Sequence, residues 1–219
     1  MSEPRLDDYS LRAYAAAAAA EQPAPGGGSV AAAAGALAAA MAAMSARYTA
    51  GRRKYAAVAA EIAALIARAD AALGTLLEAV DADARAFTAV GTAYALPKDD
   101  PSRAAAIASA SRAAAATPLA VLRTVGEVLS ELPRLAEIGN INLASDTGVA
   151  AELARAAVAA AAMNVAVNWA GMDAPETVEA QREECAEAVR RADRLLSEVR
   201  TRLAGRHAGL GWVLTQPEA

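Results

Sequence analysis

The chain has 219 residues, of which 56% are hydrophobic and 4% aromatic, and its formal net charge at pH 7 is −4. This charge argues against a nucleic-acid-binding protein, which normally presents a basic face, and the single cysteine, Cys185, excludes an intramolecular disulfide. With an acidic N-terminus that has no secretory signal, these features indicate a cytoplasmic protein. Alanine is the best helix former and strands favour branched or aromatic residues, so the composition predicts an all-α fold, with residues 1–219 as a single domain.

Helical periodicity, interrupted by proline and glycine, predicts an antiparallel helical bundle with long helices. The predicted helices are 7–20, 29–50, 53–95, 102–116, 118–138, 146–171 and 175–205. The interruptions are QPAPGGG, LPKDDP, TP, GNIN and GMDAP, and Pro133 is expected to kink or interrupt the fifth helix. The last segment, HAGLGWVLTQPEA, is predicted to be irregular, with Trp212 packed against the bundle.

Small residues on these helices, among them Gly35, Gly74 and Gly91, are expected to let helix axes approach closely. Large flat faces of this kind often continue into a second subunit. The sequence therefore predicts a homodimer or a larger assembly.

The stretch EQPAPGGGSVAAAAGALAAAMAAM joins prolines and three glycines to an apolar helix. Its uncharged run, residues 30–46, is mostly alanine and shorter than the ~20 strongly apolar residues of a membrane span, so it is interpreted as a buried helix and no membrane association is expected. The glycines match neither a Walker loop nor a dinucleotide-binding fingerprint. Two interpretations stay open: a flexible turn capped by Ser29, or a helix N-terminus where the bare N–H groups of Gly26–Gly28 face a carboxylate, phosphate or polarised carbonyl.

The segment GRRKY places three cations, Arg52, Arg53 and Lys54, beside Tyr55. A basic cluster at a helix junction is usually a solvated face, and that is the default interpretation. The same cluster would also suit a polyanionic tail of a ligand.

The third predicted helix carries an aspartate on an otherwise apolar face. Spacings of three and four residues align Leu73, Leu76, Val80, Asp83, Phe87, Val90 and Tyr94. Asp81 lies off this face and is expected to pair with Arg85. A buried carboxylate is costly unless it is paired or functional, and burial raises its pKa towards the range of acid–base catalysis. Spacing alone slightly favours a structural hydrogen bond or salt bridge for Asp83.

The segment EIGNINLASDTGVAAEL joins two helices, with Gly139 expected at the end of one and Ser145 or Asp146 as the N-cap of the next. Asn140 and Asn142 are common turn residues. Two amides, a hydroxyl and a carboxylate in one loop would also hydrogen-bond a polar heterocycle.

Asn164 and Asn168 stand one turn apart on the following helix, among alanines and valines. Hydrogen bonding between helices is the commoner explanation for such residues, and a ligand site is the alternative. The chain has one histidine, His207, so with one cysteine it offers no zinc-ligand set, no Ser-His-Asp triad and no Cys-His dyad. Acid–base chemistry would have to use carboxylates, lysine, tyrosine or water.

Several of these segments occur in the order found in one protein family. They are PAPGGGSVAA, the spacing of Thr49, Lys54 and Tyr55, DADARAF, TPLAVLR and GNINLASDTGVAAELARAAVAAAAMNVAVN. Over nearly its whole length the chain resembles the formiminotransferase-cyclodeaminase C-terminal domain family, which includes stand-alone methenyltetrahydrofolate cyclohydrolases. The PxPGGGS and GNxNLxSD segments carry most of the specificity.

The resemblance implies an all-helical homodimer acting on one-carbon units carried by tetrahydrofolate, which is a substrate, with no further cofactor. A cyclohydrolase would convert 5,10-methenyltetrahydrofolate and water to 10-formyltetrahydrofolate. A cyclodeaminase would convert 5-formimidoyltetrahydrofolate to 5,10-methenyltetrahydrofolate and ammonia. No segment resembles a formiminotransferase domain, which favours the cyclohydrolase. A catalytically silent helical scaffold or regulator that kept the fold is the alternative.

The resemblance also suggests roles for individual residues. It places Asp83 in proton transfer, and Asp146 with Asn140 and Asn142 in holding the pterin or stabilising the cation. The predicted catalytic residues are therefore Asp83 and Asp146. The predicted substrate-binding residues are Gly26, Gly27, Gly28, Ser29, Lys54, Asn140, Asn142 and Ser145.

Overall fold

The computed structural model of the chain describes residues 5–214, apart from the side chain of Trp212. Its helices are α1 (Leu11–Ala19), α2 (Gly27–Arg47), α3 (Ala59–Tyr94), α4 (Arg103–Ile138), α5 (Ala144–Ala166), α6 (Pro175–Arg206) and α7 (Ala208–Leu214). Short 3-10 turns lie at Leu6–Asp8, Arg53–Val58, Ile141–Leu143 and Trp169–Gly171. No strand occurs within residues 5–214, and the predicted all-α fold is confirmed.

Four helices surround the core. α2 packs against α3 and α5 and also contacts α4, which packs along α3 and α5. α6 lies along α4 and α5, and α7 packs on α6. Ion pairs from Glu61 to Arg134 and from Arg68 to Glu131 join α3 to α4 in opposite chain directions, as an antiparallel bundle requires.

Alanine fills the contact between α2 and α5, where it allows the two helix axes to approach closely. The fully or almost fully buried alanines of these helices are Ala31, Ala32, Ala36, Ala38, Ala39, Ala42, Ala43 and Ala46 on α2, and Ala144, Ala150, Ala151, Ala154, Ala157 and Ala161 on α5. Larger side chains from α3 and α4, such as Leu76, Leu129 and Leu132, fill the rest of the core. The sequence has few aromatic residues, and its helices instead pack closely through alanine.

The predicted break at Pro118 is wrong, because α4 continues through both Pro118 and Pro133. A proline inside a helix removes one backbone hydrogen bond and costs roughly 3 kcal/mol. Both prolines are buried, and α4 packs against four other helices, α2, α3, α5 and α6. Tertiary packing offsets the local cost, so the two predicted helices are one.

Two further predictions about helix ends are corrected. Residues 53–58 form a 3-10 turn, with non-helical backbone angles at Tyr55, and α3 begins only at Ala59. The segment after His207 is helical up to Leu214 rather than irregular. The predicted packing of Trp212 lies outside the described residues.

Three helical segments, α2, α4 and residues 141–171, are long and apolar enough to cross a membrane by length and composition alone. In the folded chain, 61% of the most apolar window of α2 is buried within the bundle. The apolar character of α2 therefore serves the core, as the interpretation of residues 30–46 as a buried helix predicts. The absence of membrane association stays a prediction.

The three glycines expected to permit close packing differ in their surroundings. A Cβ atom at Gly35 would lie 2.5 Å from Cγ2 of Val125 on α4, so this position requires glycine. A Cβ at Gly74 or Gly91 would meet no atom within 4 Å. Close packing explains Gly35 and does not explain the other two.

We expect Gly35→Ala to destabilise the protein and Gly74→Ala to stabilise it. Alanine at position 35 would overpack the contact with Val125, at a cost of about 1–3 kcal/mol, whereas alanine at exposed position 74 gains up to about 1 kcal/mol of helix propensity. Thermal unfolding of the two variants beside the wild type measures both effects. Equal changes in melting temperature would contradict this account of Gly35.

Candidate active site

A cleft of about 280 Å³ opens at the N-terminus of α2. α2 begins at this level, α3 continues past it to Tyr94, and α5 ends at Ala166, two residues after Asn164. The cleft is lined by Pro23, Ala24, Gly26, Gly27, Gly28, Asp83, Ala84, Ala86, Phe87, Val90, Ala114, Asn164, Val167 and Asn168. Asp83 is the only charged side chain in this lining.

The glycine turn forms the floor of the cleft. Gly26 is the N-cap of α2, and the helix begins at Gly27. A Cβ at Gly28 would overlap Oδ1 of Asp83, and a Cβ at Gly27 would lie 3.0 Å from Oδ1 of Asn164. The glycines therefore allow the backbone of α2 to approach two polar side chains on neighbouring helices.

The prediction that Ser29 caps α2 is wrong, because the helix begins two residues earlier. Ser29 is fully buried. Its N–H donates to Oδ2 of Asp83 at 2.8 Å, and its hydroxyl shares a hydrogen bond of 2.9 Å with the hydroxyl of Tyr14. Ser29 therefore acts within the protein, and its side chain does not face the cleft as a ligand group.

Asp83 is held at the first turn of α2, where the helix dipole is positive. Burial raises the pKa of the Asp83 carboxyl above its ordinary value, and the hydrogen bond from the Ser29 N–H opposes that rise. A half-buried carboxyl with a raised pKa at the wall of a cleft is suited to accept and return a proton. On the apolar face predicted around Asp83, Leu76 and Val80 are buried. Phe87 and Tyr94, which lie on α3 beyond the N-terminus of α2, are exposed.

The neighbouring carboxylate, Asp81, is the more buried of the two. Its Oδ1 accepts from the N–H of Leu6 at 2.7 Å, and its Oδ2 lies 3.1 Å from Nε of Arg5. The predicted pair with Arg85 is therefore wrong, since Asp81 anchors the N-terminal segment instead. Asp81 lies one helical turn from Arg85, the partner expected from helix spacing, but binds residues that are distant in the sequence.

Asn164 and Asn168 belong to the cleft, but neither bonds to another helix. Nδ2 of Asn164 donates to the carbonyl of Ala160, and Nδ2 of Asn168 donates to that of Asn164. The predicted bonding between helices is therefore wrong. Both residues line the cleft together with Asp83, and Oδ1 of Asn164 lies beside Gly27.

A second cluster of predicted residues lies at the other end of α2. Asn140 is buried, its N–H donates to Oγ1 of Thr49 at 2.8 Å, and its Nδ2 donates to the carbonyl of Tyr48 at 3.1 Å. Its Oδ1 accepts from the N–H of Asn142 and lies 3.5 Å from the Tyr55 hydroxyl. The side chain of Asn140 therefore ties the C-terminal end of α2 to the loop before α5.

The other residues of this second cluster are more accessible. Lys54 is exposed, and its Nζ lies 5.5 Å from the centroid of the Tyr55 ring. Asn142 and Ser145 are exposed, and Asp146 is partly buried in the first turn of α5. The N-cap of α5 is Leu143, without a side-chain hydrogen bond, so the prediction that Ser145 or Asp146 caps this helix is wrong.

The predicted site residues thus form two groups within one chain. Gly26, Gly27, Gly28, Ser29 and Asp83 lie at the N-terminal end of α2, whereas Lys54, Asn140, Asn142, Ser145 and Asp146 lie near its C-terminal end. α2 has 21 residues, so the groups are about 30 Å apart at 1.5 Å per residue. A single chain does not bring them together. Residues 5–214 contain no group of three or more His, Cys, Asp or Glu side chains that could hold a metal ion.

Residues 10–187 match the model of the formiminotransferase-cyclodeaminase family. The chain belongs to this family. It is 38% identical to the methenyltetrahydrofolate cyclohydrolase of Methylorubrum extorquens, in an alignment that covers 71% of this chain and 76% of that protein. It is 39% identical to the formimidoyltransferase-cyclodeaminase of Rattus norvegicus over 78% of this chain, but spans only 32% of that longer protein.

The fold matches that of a crystal structure of formiminotetrahydrofolate cyclodeaminase from Thermotoga maritima. The TM-score is 0.79 at 29% sequence identity, and the match covers 95% of this chain and 100% of the other. The family resemblance read from the sequence is therefore confirmed, and the helical bundle is the fold of the family.

Tyr14 is a residue near the site that the sequence analysis did not single out. It is the one partly buried large side chain of α1, a helix made mostly of exposed alanine. Its position as the only aromatic residue in that alanine run was the signal available in the sequence. Its contact with Ser29 depends on how the chain folds back, which local spacing does not reveal.

We expect Asp83→Asn to be at least as stable as the wild type at pH 7. The raised pKa of Asp83 means that its ionisation opposes folding, so its contribution to stability is complete below the unfolded pKa of about 3.9 and is lost as the pH rises through the folded pKa. The neutral amide avoids this loss, and the advantage of the variant should shrink as the pH falls from 7 towards 4.

Denaturant unfolding at several pH values measures this difference, with Glu78→Gln, an exposed change on the same helix, as the control. An Asp83→Asn protein that is less stable than wild type by the same amount at every pH would show that the carboxylate is a structural group.

Proposed function

We propose that this protein is a folate one-carbon enzyme that acts at the carbon between N5 and N10 of tetrahydrofolate. The observation that carries the proposal is the half-buried Asp83, with its raised pKa, at the glycine-lined N-terminus of α2. The relatives named above are a cyclohydrolase and two cyclodeaminases, and the names of the cyclohydrolase and of the Thermotoga maritima enzyme refer to tetrahydrofolate substrates. Both reactions need a proton carrier beside one electrophilic carbon, and Asp83 suits that task.

In the cyclohydrolase direction, water attacks the methenyl carbon, which is already cationic. The Asp83 carboxylate accepts a proton from the attacking water as the C–O bond forms. The tetrahedral intermediate then loses its hydroxyl proton, the C–N5 bond breaks, and N5 takes up a proton. One proton is released overall, and 10-formyltetrahydrofolate is the product.

In the cyclodeaminase direction, the formimidoyl group on N5 enters the reaction with its imino nitrogen protonated, and N10 attacks its carbon. The proton lost from N10 is transferred to the amino nitrogen, and the C–N bond to that nitrogen breaks as ammonia leaves. Asp83 can carry this proton in both halves of the step. The same tetrahedral carbon occurs in both reactions, so one site serves either.

The glycine turn contributes a second element. Of the first three N–H groups of α2, only that of Ser29 donates to a protein acceptor among the bonds of the described residues. The N–H groups of Gly27 and Gly28 lie at the positive end of the helix dipole, which favours an anionic or polarised oxygen. They are placed to bind an oxygen that gains negative charge in the tetrahedral intermediate.

The cleft of one chain lacks a group for the anionic end of a folate. Its lining contains no cation, whereas Lys54, Arg52 and Arg53 lie at the far end of α2. We propose that the protein is a homodimer in which α2 packs antiparallel on its copy across a two-fold axis. The second cluster of one chain then lies beside the cleft of the other, and Lys54 binds the glutamate end there.

The outward face of α2 supports this dimer. Val30, Leu37 and Tyr48 are exposed on it. The partly exposed residues between them are Ala33, Ala34, Ala40, Met41 and Met44. The sequence from Gly27 to Ala46 contains no charge. A long, uncharged apolar face of this kind is typical of a subunit interface, and a two-fold axis places the same face on both copies.

The first experiment follows the absorbance of the methenyl group with purified protein. Methenyltetrahydrofolate is supplied in one assay and formimidoyltetrahydrofolate in the other. Accelerated loss of the chromophore in the first identifies a cyclohydrolase, and its gain with ammonia release in the second identifies a cyclodeaminase. Absence of activity in both, together with no thermal shift on addition of either folate, would favour the silent scaffold.

We expect Asp83→Ala to lower turnover by about 10²–10⁴-fold, the usual contribution of general acid–base catalysis, with unchanged helix content. Glu78→Ala, an exposed carboxylate on the same helix, is the matched control and should retain wild-type turnover. An Asp83→Ala enzyme whose turnover stays within a factor of two of the wild type would remove Asp83 from the mechanism.

A site that combines Asp83 of one chain with Lys54 of the other predicts that two inactive variants complement each other. Asp83→Asn and Lys54→Met homodimers should each have impaired activity, but mixed dimers carry one site with both native residues. Random reassembly after mild unfolding should restore about a quarter of the wild-type sites. Recovery of activity after mixing is the measurement, and Lys98→Met, a change in the loop between α3 and α4, should not impair activity. No recovery from a mixture that contains mixed dimers would disprove the shared site.

A further inference from the structure

Residues 5–19, which we call the N-terminal arm, lie outside the four-helix core. α1 within it has no buried residue, and an apolar cavity of about 250 Å³ separates the arm from α2 and α3. Two polar anchors hold the arm. Asp81 binds the N–H of Leu6 at one end, and Ser29 binds the hydroxyl of Tyr14 at the other.

The second anchor connects the arm with the cleft. Ser29 is fully buried and uses both of its polar groups: the hydroxyl meets Tyr14 at 2.9 Å, and the N–H donates to Asp83 at 2.8 Å. The preceding residues, Gly26–Gly28, have no side chains that could fix the turn. Ser29 is therefore the only side chain of the first helical turn that can fix its position, and Tyr14 is the partner that holds it.

We propose that Tyr14 is a positioning residue for Asp83, acting through Ser29. The Tyr14 hydroxyl fixes the Ser29 side chain, and thereby the N–H that donates to the Asp83 carboxylate. Through this chain, a peripheral helix keeps the first turn of α2 in place. The proposal rests on the proposed function only in calling Asp83 catalytic, since the hydrogen bonds themselves do not depend on it.

The direction of the effect follows from the surroundings of Asp83. Its burial raises the carboxyl pKa, and the Ser29 N–H lowers it. The cleft walls formed by α2, α4 and α5 contribute Gly26–Gly28, Ala114 and Asn164 with their neighbours, none of which is titratable. On the arm, Tyr14 is the titratable side chain that interacts with Asp83, whereas Arg5 pairs with Asp7 and Asp81. On α3 itself, Asp81 is engaged with Arg5 and Leu6. A looser Ser29 N–H bond should therefore raise the pKa of Asp83.

The test compares Tyr14→Phe with Tyr9→Phe, a matched change on the same arm whose ring lines the apolar cavity. The carboxyl pKa of Asp83 is read from ¹³C NMR titration, with the resonance assigned by its loss in Asp83→Asn. Tyr14→Phe should raise this pKa by roughly half a unit or more, whereas Tyr9→Phe should leave it unchanged. The limb of the pH–turnover profile that reports Asp83 should move to higher pH by the same amount.

Ser29→Ala provides a second route to the same result, because it removes the partner of the Tyr14 hydroxyl and keeps the backbone N–H. Its shift should match that of Tyr14→Phe, and the double variant should shift no further than either single variant. Additive shifts, or a Tyr14→Phe enzyme with an unchanged Asp83 pKa and pH profile, would overturn the proposal and leave Tyr14 as a tether. Because the NMR titration needs no turnover, a wild type without activity would refute the proposed function and not the positioning role.

Discussion

The close approach between the first turn of α2 and Asp83 is the contact on which the site depends. The carboxylate occupies the space that a side chain at position 28 would need, and it accepts the N–H of Ser29. Only glycine permits this arrangement. Because α2 begins here while α3 continues to Tyr94, the same contact fixes both the edge of the cleft and the chemical group at its wall. Burial and helix-terminal hydrogen bonding then act on the carboxyl in opposite directions, and the pKa of Asp83 is set by their balance.

Local spacing predicted the fold and the face on which Asp83 lies, because helix periodicity depends on neighbouring residues alone. It failed where a distant residue decided the outcome. Asp81 pairs with Arg5 and Leu6 rather than with a residue on its own helix, and Ser29 meets Tyr14 and Asp83 instead of capping a helix. Pro118 did not end a helix because packing on four neighbouring helices outweighed a local penalty. The roles assigned to individual site residues stay predictions.

The loop before α5 illustrates how a polar motif can serve the scaffold. Asn140 was predicted to bind substrate, yet both ends of its amide bond to the protein, to Tyr48 on one side and Asn142 on the other. This bonding ties the C-terminal end of α2 to the loop before α5, as the bond to Asp83 ties the N-terminal end to α3. The two most specific segments of the sequence therefore hold opposite ends of one helix. Asn142 and Ser145 stay exposed on the same loop, and substrate binding by these residues and by Asn140 stays a prediction.

The PxPGGGS and GNxNLxSD segments occur in one sequence because both hold α2 in place. Its inner face is alanine and glycine because α5 and α4 approach closely, and its outer face is uncharged and apolar although it is exposed in a single chain. A helix whose only role was to fill the core would gain solubility from charges on that outer face. Under the proposed two-fold arrangement, a separation of about 30 Å along the helix becomes a short distance between subunits, because antiparallel copies place opposite ends side by side. The carboxylate for proton transfer and the cation for the substrate tail are then kept apart within each chain and meet only in the assembled enzyme.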